Sequence, residues 1–380
     1  MGGHTTSDTA ATGDATPAQR DGSPAGASDL ATPRRARIED VAAAAGVSVA
    51  TVSRALRGLP NVATSTRRRV ADVAEQLGYQ PDPAATRLAA GRTNTVIVVV
   101  PHLGSWYFSN IVAGVEAVCT NAGYDVLVIG ADEPSRVDRL IDERSQLERR
   151  ADGVVLVDIP VAGELAESLA RRRVHVATVG WRVGDHPAVV LDDPAVGALA
   201  AEHLLQLGHR ELGVIGGDLD PIAFEVPERR LRGFRERCLR DGVQLAEHRI
   251  VGGGFRLDGG YAAMAALLES EPPTAVFAMS DEMAFGALMA LQERGLRPGR
   301  DVSVIGVDDH EFAHVVKLTT IRQDVIGNGA AAARALIAAL QHADPTISDT
   351  VAVGNSDDEP PGFSLVARST TGPLNGYRPH

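Results

Sequence analysis

Residues Ile38–Leu56 read Ile-Glu-Asp-Val-Ala-Ala-Ala-Ala-Gly-Val-Ser-Val-Ala-Thr-Val-Ser-Arg-Ala-Leu. The spacing predicts two short amphipathic helices joined at Gly46. Val41, Ala42 and Ala45 face inward on the first, and Val52 and Leu56 on the second. Gly46 supplies the positive φ that a tight inter-helix turn requires. Ser48 stands at an N-cap position, its hydroxyl placed to accept from a free backbone N–H of the second helix. That helix offers Val49, Ala50, Ser53, Arg54 and Arg57 on its outer face, small or basic side chains that fit a major groove. The pattern is a helix-turn-helix, and its implication is DNA binding.

A third helical pattern follows, Ser65–Leu77, with Val70, Val73, Ala74 and Leu77 apolar, Thr64 or Ser65 as cap and Gly78 as terminator. From Arg34 to Arg92 there are ten arginines against five acids, whereas the whole chain carries −12. A basic head on an acidic body concentrates attraction to phosphate in one place. Residues 1–33 are rich in Gly, Ala, Thr, Ser, Asp and Pro, a composition expected to be disordered. Neither a signal-peptide core nor a run of transmembrane length is present in the sequence, so a cytoplasmic protein with no membrane partner is expected. The two cysteines, Cys119 and Cys238, suggest no disulfide framework or zinc site. Lys317 is the only lysine, which points to a GC-rich genome.

Beyond Thr95, β-rich runs alternate with helical patterns. The strand-like runs are Thr95–Pro101, Tyr124–Gly130, Gly153–Asp158, Val174–Gly180, Ala188–Asp192, Leu212–Gly216, Ala275–Met279 and Val302–Val307. Helical patterns cover Phe108–Ala122, Asp138–Arg150, Gly163–Arg172, Pro194–Leu207, Glu228–Asp241, Gly259–Glu269 and Asp281–Arg294. Such alternation predicts doubly wound parallel sheets. The series restarts near Leu212, giving two lobes with a ligand cleft beyond the carboxyl ends of the strands.

These features resemble the lac-repressor-type (LacI/GalR) family of bacterial transcription regulators, over about Arg37 to Gly372. The motifs are Ile38-Glu-Asp-Val-Ala, Gly46-Val-Ser-Val-Ala-Thr-Val-Ser-Arg54, Leu77-Gly-Tyr-Gln-Pro81, Leu207-Gly-His-Arg210, Ile305-Gly-Val-Asp-Asp309 and Leu318-Thr-Thr-Ile321. The resemblance implies a three-helix helix-turn-helix domain over 34–82, a hinge helix over 83–93, and two α/β lobes over 94–375 built like periplasmic binding proteins. It implies a homodimer, sometimes paired into a tetramer, on a near-palindromic double-stranded operator. A small effector, a sugar or sugar phosphate, then controls a DNA-binding repressor. A corepressor-dependent or activating regulator responding to a non-sugar metabolite is the alternative. No cofactor and no enzymatic activity are implied.

Carried over by motif, Val49, Ala50 and Arg54 occupy base-reading positions. Arg54 suits bidentate bonding to guanine, and the other two suit thymine methyls. Ser48 and Arg57 flank them, and Thr51 and Ser53 suit phosphate contacts, with helix capping the alternative for Thr51. In the hinge stretch Pro83–Arg92, Leu88 matches the leucine that wedges between base pairs and Ala85 lies near the groove floor. In the cleft, Arg230 matches an effector clamp, Asp308 an acceptor for sugar hydroxyls and Phe255 a surface for the ligand ring. Ser105, Trp106 and Tyr107, with His102, follow the first strand; Ser280 and Asp281 end another, and Gln323 lies at a crossover between lobes. Core packing is the alternative for Trp106 and Phe255.

The chain also departs from the family pattern. Tryptophan stands near position 181, where sugar-responsive members often carry an acid, and Lys317 stands where proline is usual. Val351–Pro361 reads as a loop insertion. His310-Glu-Phe-Ala-His314 matches a zinc-binding spacing, but the stretch is too short for the long helix that such a site uses. The Gly252–Gly254 run lacks a following Gly-Lys-Ser/Thr, and no nucleophile elbow, Walker or dinucleotide motif occurs.

Overall fold

A computed structural model of the chain describes residues 36–79, 93–131, 149–159, 169, 171–172, 174–216, 225–269, 271–342 and 362–374. The hinge stretch, most of the helical patterns Asp138–Arg150 and Gly163–Arg172, the N-terminal tail and the Val351–Pro361 insertion lie outside them. The chain divides into two compact units, Met1–Pro83 and Ala84–His380.

The first unit holds α1 (Ile38–Ala45), α2 (Val49–Leu56) and α3 (Thr64–Gln76). Gly46 ends α1 in the left-handed region, φ 64 and ψ 38, where a side chain would be strained. Val41, Ala42, Ala45, Val52, Ala55, Val70 and Ala74 form its core. Leu56 and Val73 pack only partly against this core, and Ala55 takes the fully buried place expected of Leu56. Ala63 precedes α3 without a side-chain cap, so neither Thr64 nor Ser65 plays that part. Leu77 falls at the C-cap and is exposed, because the helical face has rotated away from the core by then.

The second unit begins with β1 (Thr95–Val100), α4 (Trp106–Asn121), β2 (Asp125–Gly130), β3 (Gly153–Val157), β4 (His175–Val179) and β5 (Ala188–Val189). These strands form one sheet in the order β2-β1-β3-β4-β5, every pairing parallel. Buried on both faces, β1 needs no polar alternation: Val96, Val98 and Val100 enter one core, Ile97 and Val99 the other.

The chain continues through α5 (Asp193–Gln206), β6 (Leu212–Gly216), α6 (Glu225–Arg240), β7 (Ile250–Gly252), α7 (Leu257–Leu267) and β8 (Ala275–Ala278). It ends with α8 (Asp281–Glu293), β9 (Ser303–Asp308), β10 (Thr319–Gln323), α9 (Val325–His342) and β11 (Phe363–Val366). The second sheet runs β11-β10-β9-β8-β6-β7, with β11 alone antiparallel. The lobe boundary falls before α5 and not at Leu212, because Val196, Ala200, Ala201, Leu204 and Leu205 pack into the second core. In return α9 belongs to the first lobe, where Ala332, Ala333, Leu336 and Leu340 join the β1–β3–β4 face. The chain thus passes between the lobes after β5, after β10 and after α9.

Three helix pairs cross through reciprocal glycines. A Cβ on Gly114 of α4 would meet Ile326 O at 2.0 Å, and one on Gly329 of α9 would meet Ile111 O at 2.1 Å. Gly197 and Gly233 stand likewise against Arg230 O and Pro194 O across α5 and α6, as do Gly260 and Gly286 across α7 and α8. Backbone atoms cannot give way as a flexible side chain can. Helix propensity alone would make Gly114→Ala stabilising by about 1 kcal/mol. The contact reverses the sign, and urea unfolding of the full chain should show a net loss of roughly 1–3 kcal/mol.

Candidate nucleic-acid interface and ligand cleft

In the helix-turn-helix unit, Ser48 Oγ accepts from Thr51 N at 3.2 Å, the cap expected from its position. The same oxygen lies 2.9 Å from Thr51 Oγ1, so the Thr51 hydroxyl is already engaged at the start of α2. Val49, Ala50, Arg54 and Arg57 are exposed and Ser53 is half-buried. Arg57 Nε donates to Ser53 O, which fixes that guanidinium along the helix. The exposed face of α2 is therefore apolar at Val49 and Ala50 and basic at Arg54 and Arg57. Ala85 and Leu88 lie outside the described residues.

In the second unit, the carboxyl ends of both sheets face a common cleft. Arg230, on α6, is 5% exposed. Its Nε donates to Asp193 Oδ1 at 2.9 Å and its Nη1 to Met279 O at 2.6 Å. Arg229 Nη2 lies 3.2 Å from the other Asp193 oxygen and donates to Gly180 O on the first lobe. Asp308 ends β9 at φ 119, and its Oδ1 accepts from Gln323 Nε2 at 2.7 Å. Tyr107, at the start of α4, has its phenol pKa pushed well above the ordinary value, by burial and then by Asp158, with Asp308 and Asp193 adding to the effect. Tyr107, Arg230, Asp308 and Gln323 thus lie together at one place in the fold.

Ser105 and Trp106 close the mouth. Ser105 Oγ donates to Glu282 Oε2 at 3.1 Å, and Trp106 Nε1 donates to Glu311 Oε2 at 3.0 Å. The indole lies against the His310 ring, centroids 4.6 Å apart. A cavity of about 550 Å³ opens beside them, with Trp106 and Asn110 on one side and Asp308, Gln323 and Phe363 on the other.

Three of the expected residues have other work in the fold. Ser280 Oγ caps α8 by accepting from Met283 N. Asp281 is fully buried, one oxygen accepting from Thr320 Oγ1 at 2.6 Å and the other from His310 N at 2.8 Å. Phe255 sits at φ 55 after β7, half-buried against the second core. The His310–His314 stretch is a single turn of 3-10 helix whose His310 Nδ1 accepts from Phe312 N.

Sequence reasoning missed Asp158, Asp193, Arg229, Glu282 and Glu311. Asp158 immediately follows β3, a position that alone could have marked it. Its carboxylate occupies the space beside β4: a Cβ on Gly180 would come within 1.8 Å of Asp158 Oδ1. The acid absent near Trp181 is thereby supplied from the neighbouring strand. Lys317 takes φ 58, which proline's ring forbids, so the turn before β10 is built differently from a proline turn. The other motifs serve the C-terminal segment: His209 bridges Thr274 Oγ1 and Gly372 O, and Asp309 binds Arg322 and Arg368.

Burial, with repulsion from Asp193, raises Asp158 to about 7, and burial raises Asp308 to about 7 although Arg230 opposes it. Between about pH 4 and 7 the folded protein holds protons on these groups that the unfolded chain has released. Their contribution to stability is therefore complete below the ordinary carboxylate range and lost as pH rises through 7. Urea unfolding of the ligand-free protein should show less stability at pH 8 than at pH 5, by roughly 5 kcal/mol if the two groups titrate independently. Asp308→Asn should flatten that slope.

The comparisons with known proteins agree with this geometry. Residues 37–82 match the family model for bacterial regulatory proteins, lacI family, and residues 201–371 match a periplasmic binding protein-like domain. Catabolite control protein A of Priestia megaterium is 32% identical over 305 residues, covering 79% of this chain and 91% of that protein. A crystal structure of the lac repressor dimer bound to operator and the anti-inducer ONPF superposes with TM-score 0.72 at 27% identity, covering 89% of this chain and 99% of that one. A complex of the transcriptional regulator CelR with cellobiose superposes with TM-score 0.61 at 29% identity, covering 88% and 100%. A capped helix-turn-helix followed by a two-lobed ligand domain, together with these relatives, places the chain in the lacI family of bacterial regulatory proteins, as a DNA-binding transcriptional regulator and not an enzyme.

Proposed function

We propose that this regulator represses its targets as a homodimer on a near-palindromic operator and is controlled by a small polyhydroxylated effector, a sugar or sugar phosphate, in the cleft. The observation that carries the effector reading is the gathering of Tyr107, Asp158, Arg230, Asp308 and Gln323 at the carboxyl ends of both sheets. Hydroxyl-accepting carboxylates beside a fixed guanidinium and aromatic surface are the chemistry that sugar rings need. A cavity of about 550 Å³, in the range of small-molecule sites, adjoins this group at Asp308 and Gln323 but is not lined by Tyr107, Asp158 or Arg230. That CelR binds cellobiose and lac repressor binds ONPF in the same fold supports the assignment.

For DNA, Val49, Ala50 and Arg54 read bases, while Ser48, Ser53 and Arg57 position the helix on phosphate. Thr51 holds the cap. Leu88 and Ala85 enter the minor groove from the 83–93 hinge. Pairing of two copies is supported by the likeness to the lac repressor dimer. A chromosomal operator puts the protein in the cytoplasm. Among the described residues, no helix is long and apolar enough to cross a membrane.

Arg54→Ala should cost roughly 1–3 kcal/mol on operator and relax preference at one base pair per half-site. Mobility-shift titrations on operator and on random DNA check this, and equal loss on both would remove Arg54 from base reading. Effector affinity measured with and without operator should differ by the same factor as operator affinity with and without effector, about 1–3 kcal/mol. Identical values for a ligand bound in the cleft would show that the cleft does not govern the head.

A further inference from the structure

The turn that carries Asp308 has a strained backbone. Among the described residues, seven other than glycine take positive φ, and three of them lie in this corner of the second lobe: Asp308 at 119°, Asp309 at 57° and Lys317 at 58°. Two in succession at the end of a strand are costly, and such backbone persists only where its surroundings over-determine it. Glycine would remove the cost. At position 308, however, glycine would also remove the carboxylate, so the conformation has to be held from outside.

Two sets of side chains hold it. On the inner side, Asp281 accepts from His310 N at 2.8 Å and from Thr320 Oγ1 at 2.6 Å, and the Thr320 oxygen in turn accepts from Asp309 N at 3.3 Å. Both backbone N–H groups that follow Asp308 are thus taken. On the outer side, Arg368 Nη2 donates to Asp309 Oδ1 at 2.6 Å and Arg322 Nε donates to Asp309 Oδ2 at 2.7 Å. The Arg322 side chain is 57% exposed and that of Arg368 only 16%, so water screens the Arg368 bond far less. Arg368 is itself fixed: its Nη1 donates to Leu318 O at 2.6 Å and its backbone N to Thr319 Oγ1 at 2.9 Å. The segment that carries it lies along β9 and β10. Val304 N donates to Thr370 O at 2.7 Å, and Ser369 N and Thr370 N both donate to Lys317 O, the carbonyl of the third strained residue.

Resting on the effector reading above, we propose that Arg368, on the segment after β11, is a positioning residue for the effector: through Asp309 it holds the strained turn that keeps the Asp308 carboxylate against Gln323. It acts through the backbone and not by touching the ligand. A rotation at Asp309 swings the peptide it shares with Asp308, and with it the carboxylate whose Oδ1 accepts from Gln323 Nε2 at 2.7 Å. A charge-assisted bond to a guanidinium that is also tied to a backbone carbonyl has the geometric precision to oppose that rotation. Aspartate at 309 suits the place twice over, because it tolerates the left-handed region better than most residues and offers one oxygen to each arginine. The C-terminal segment, although it follows the last strand, thereby belongs to the machinery of the ligand site.

The test compares glycine with alanine at position 309 in the full chain. Both substitutions remove the two arginine bonds, but only alanine retains the cost of a positive φ. Calorimetry uses glucose, galactose, ribose and cellobiose as probes, and ligand-free crystal structures of each variant report the place of the Asp308 side chain. For any probe that the unsubstituted protein binds, Asp309→Ala and Arg368→Ala should each weaken binding about 10-fold, while Asp309→Gly stays within about 3-fold. The Asp308–Gln323 bond should be lost in the first two and kept in the third. Melting temperatures show which variants are folded, and the pair at 309 decides if Arg368→Ala is not. Equal losses for glycine and alanine would assign the ion pairs to charge or stability and overturn the proposal. Arg368→Ala that binds as the parent does, with Asp308 in place, overturns it too. If none of the four sugars binds the unsubstituted protein, that failure falls on the effector reading, and the crystal structures alone decide the positioning role. Asp308 unmoved in both Asp309→Ala and Arg368→Ala then refutes it, and Asp308 displaced in these but not in Asp309→Gly supports it.

Discussion

Close backbone contact between α5 and α6 is the constraint on which the ligand cleft depends. Gly197 and Gly233 let the two helices approach until a methyl group on either would strike a carbonyl of the other. That approach carries Asp193, the first residue of α5, onto Arg229 and Arg230 near the start of α6. Desolvating three charges is tolerable only with such geometry, since a buried ion pair repays its dehydration cost only when its hydrogen bonds are well made. The two carboxylate oxygens and two guanidinium groups make a rigid floor to the cleft. The same device at α4 and α9 brings the Trp106 end of the first lobe close to the crossing strand β10, so one packing rule positions both the floor and the mouth.

The bonds between the lobes differ in kind from those within them. Within the second lobe, Asp281 ties β10 and the turn after β9 through bonds sealed from water. Between lobes, Ser105–Glu282, Trp106–Glu311 and Arg229–Gly180 are few, and the tryptophan bond is open to solvent. Each neutral or singly charged bond of this sort contributes on the order of 1 kcal/mol net. A ligand that touches both lobes competes with contacts of that size, so its differential affinity can shift the lobe angle without disturbing either core. The rigid lobes then transmit the change, because the chain passes between them three times and no single strand can move alone.

How legible this was differed between head and body. The helix-turn-helix could be read residue by residue, since a small domain has one core and each helix shows it one face. The parallel strands were equally plain as continuous apolar runs. Lobe membership was not legible: α5 and α9 each bury a small-residue face, and Ala-rich periodicity does not say which sheet it covers. The three-residue β7 was hidden by the glycines that follow it, and α9 by Gly327 and Gly329, which weaken a helical pattern, although Gly329 makes the crossing with α4 possible. Ser280 and Asp281 looked like ligand contacts because they end a strand at the cleft. A strand end is also a helix start, and capping and turn-locking use the same residue types as ligand binding.

Asp158 shows the limit of reading a site by motif. A family pattern places an acid at a position along the sequence, but a ligand hydroxyl meets an acceptor at a position in space. Here the place near Trp181 carries no acid, and Gly180 beside it has no side chain at all. The vacated volume is filled from β3, one strand away, by the Asp158 carboxylate, which needs Gly180 to remain glycine. The two positions are therefore coupled: a side chain at 180 would exclude the observed Asp158 conformation. In this chain the acceptor at the carboxyl edge of the first sheet is presented by the end of β3, within electrostatic reach of Arg230 and Asp308.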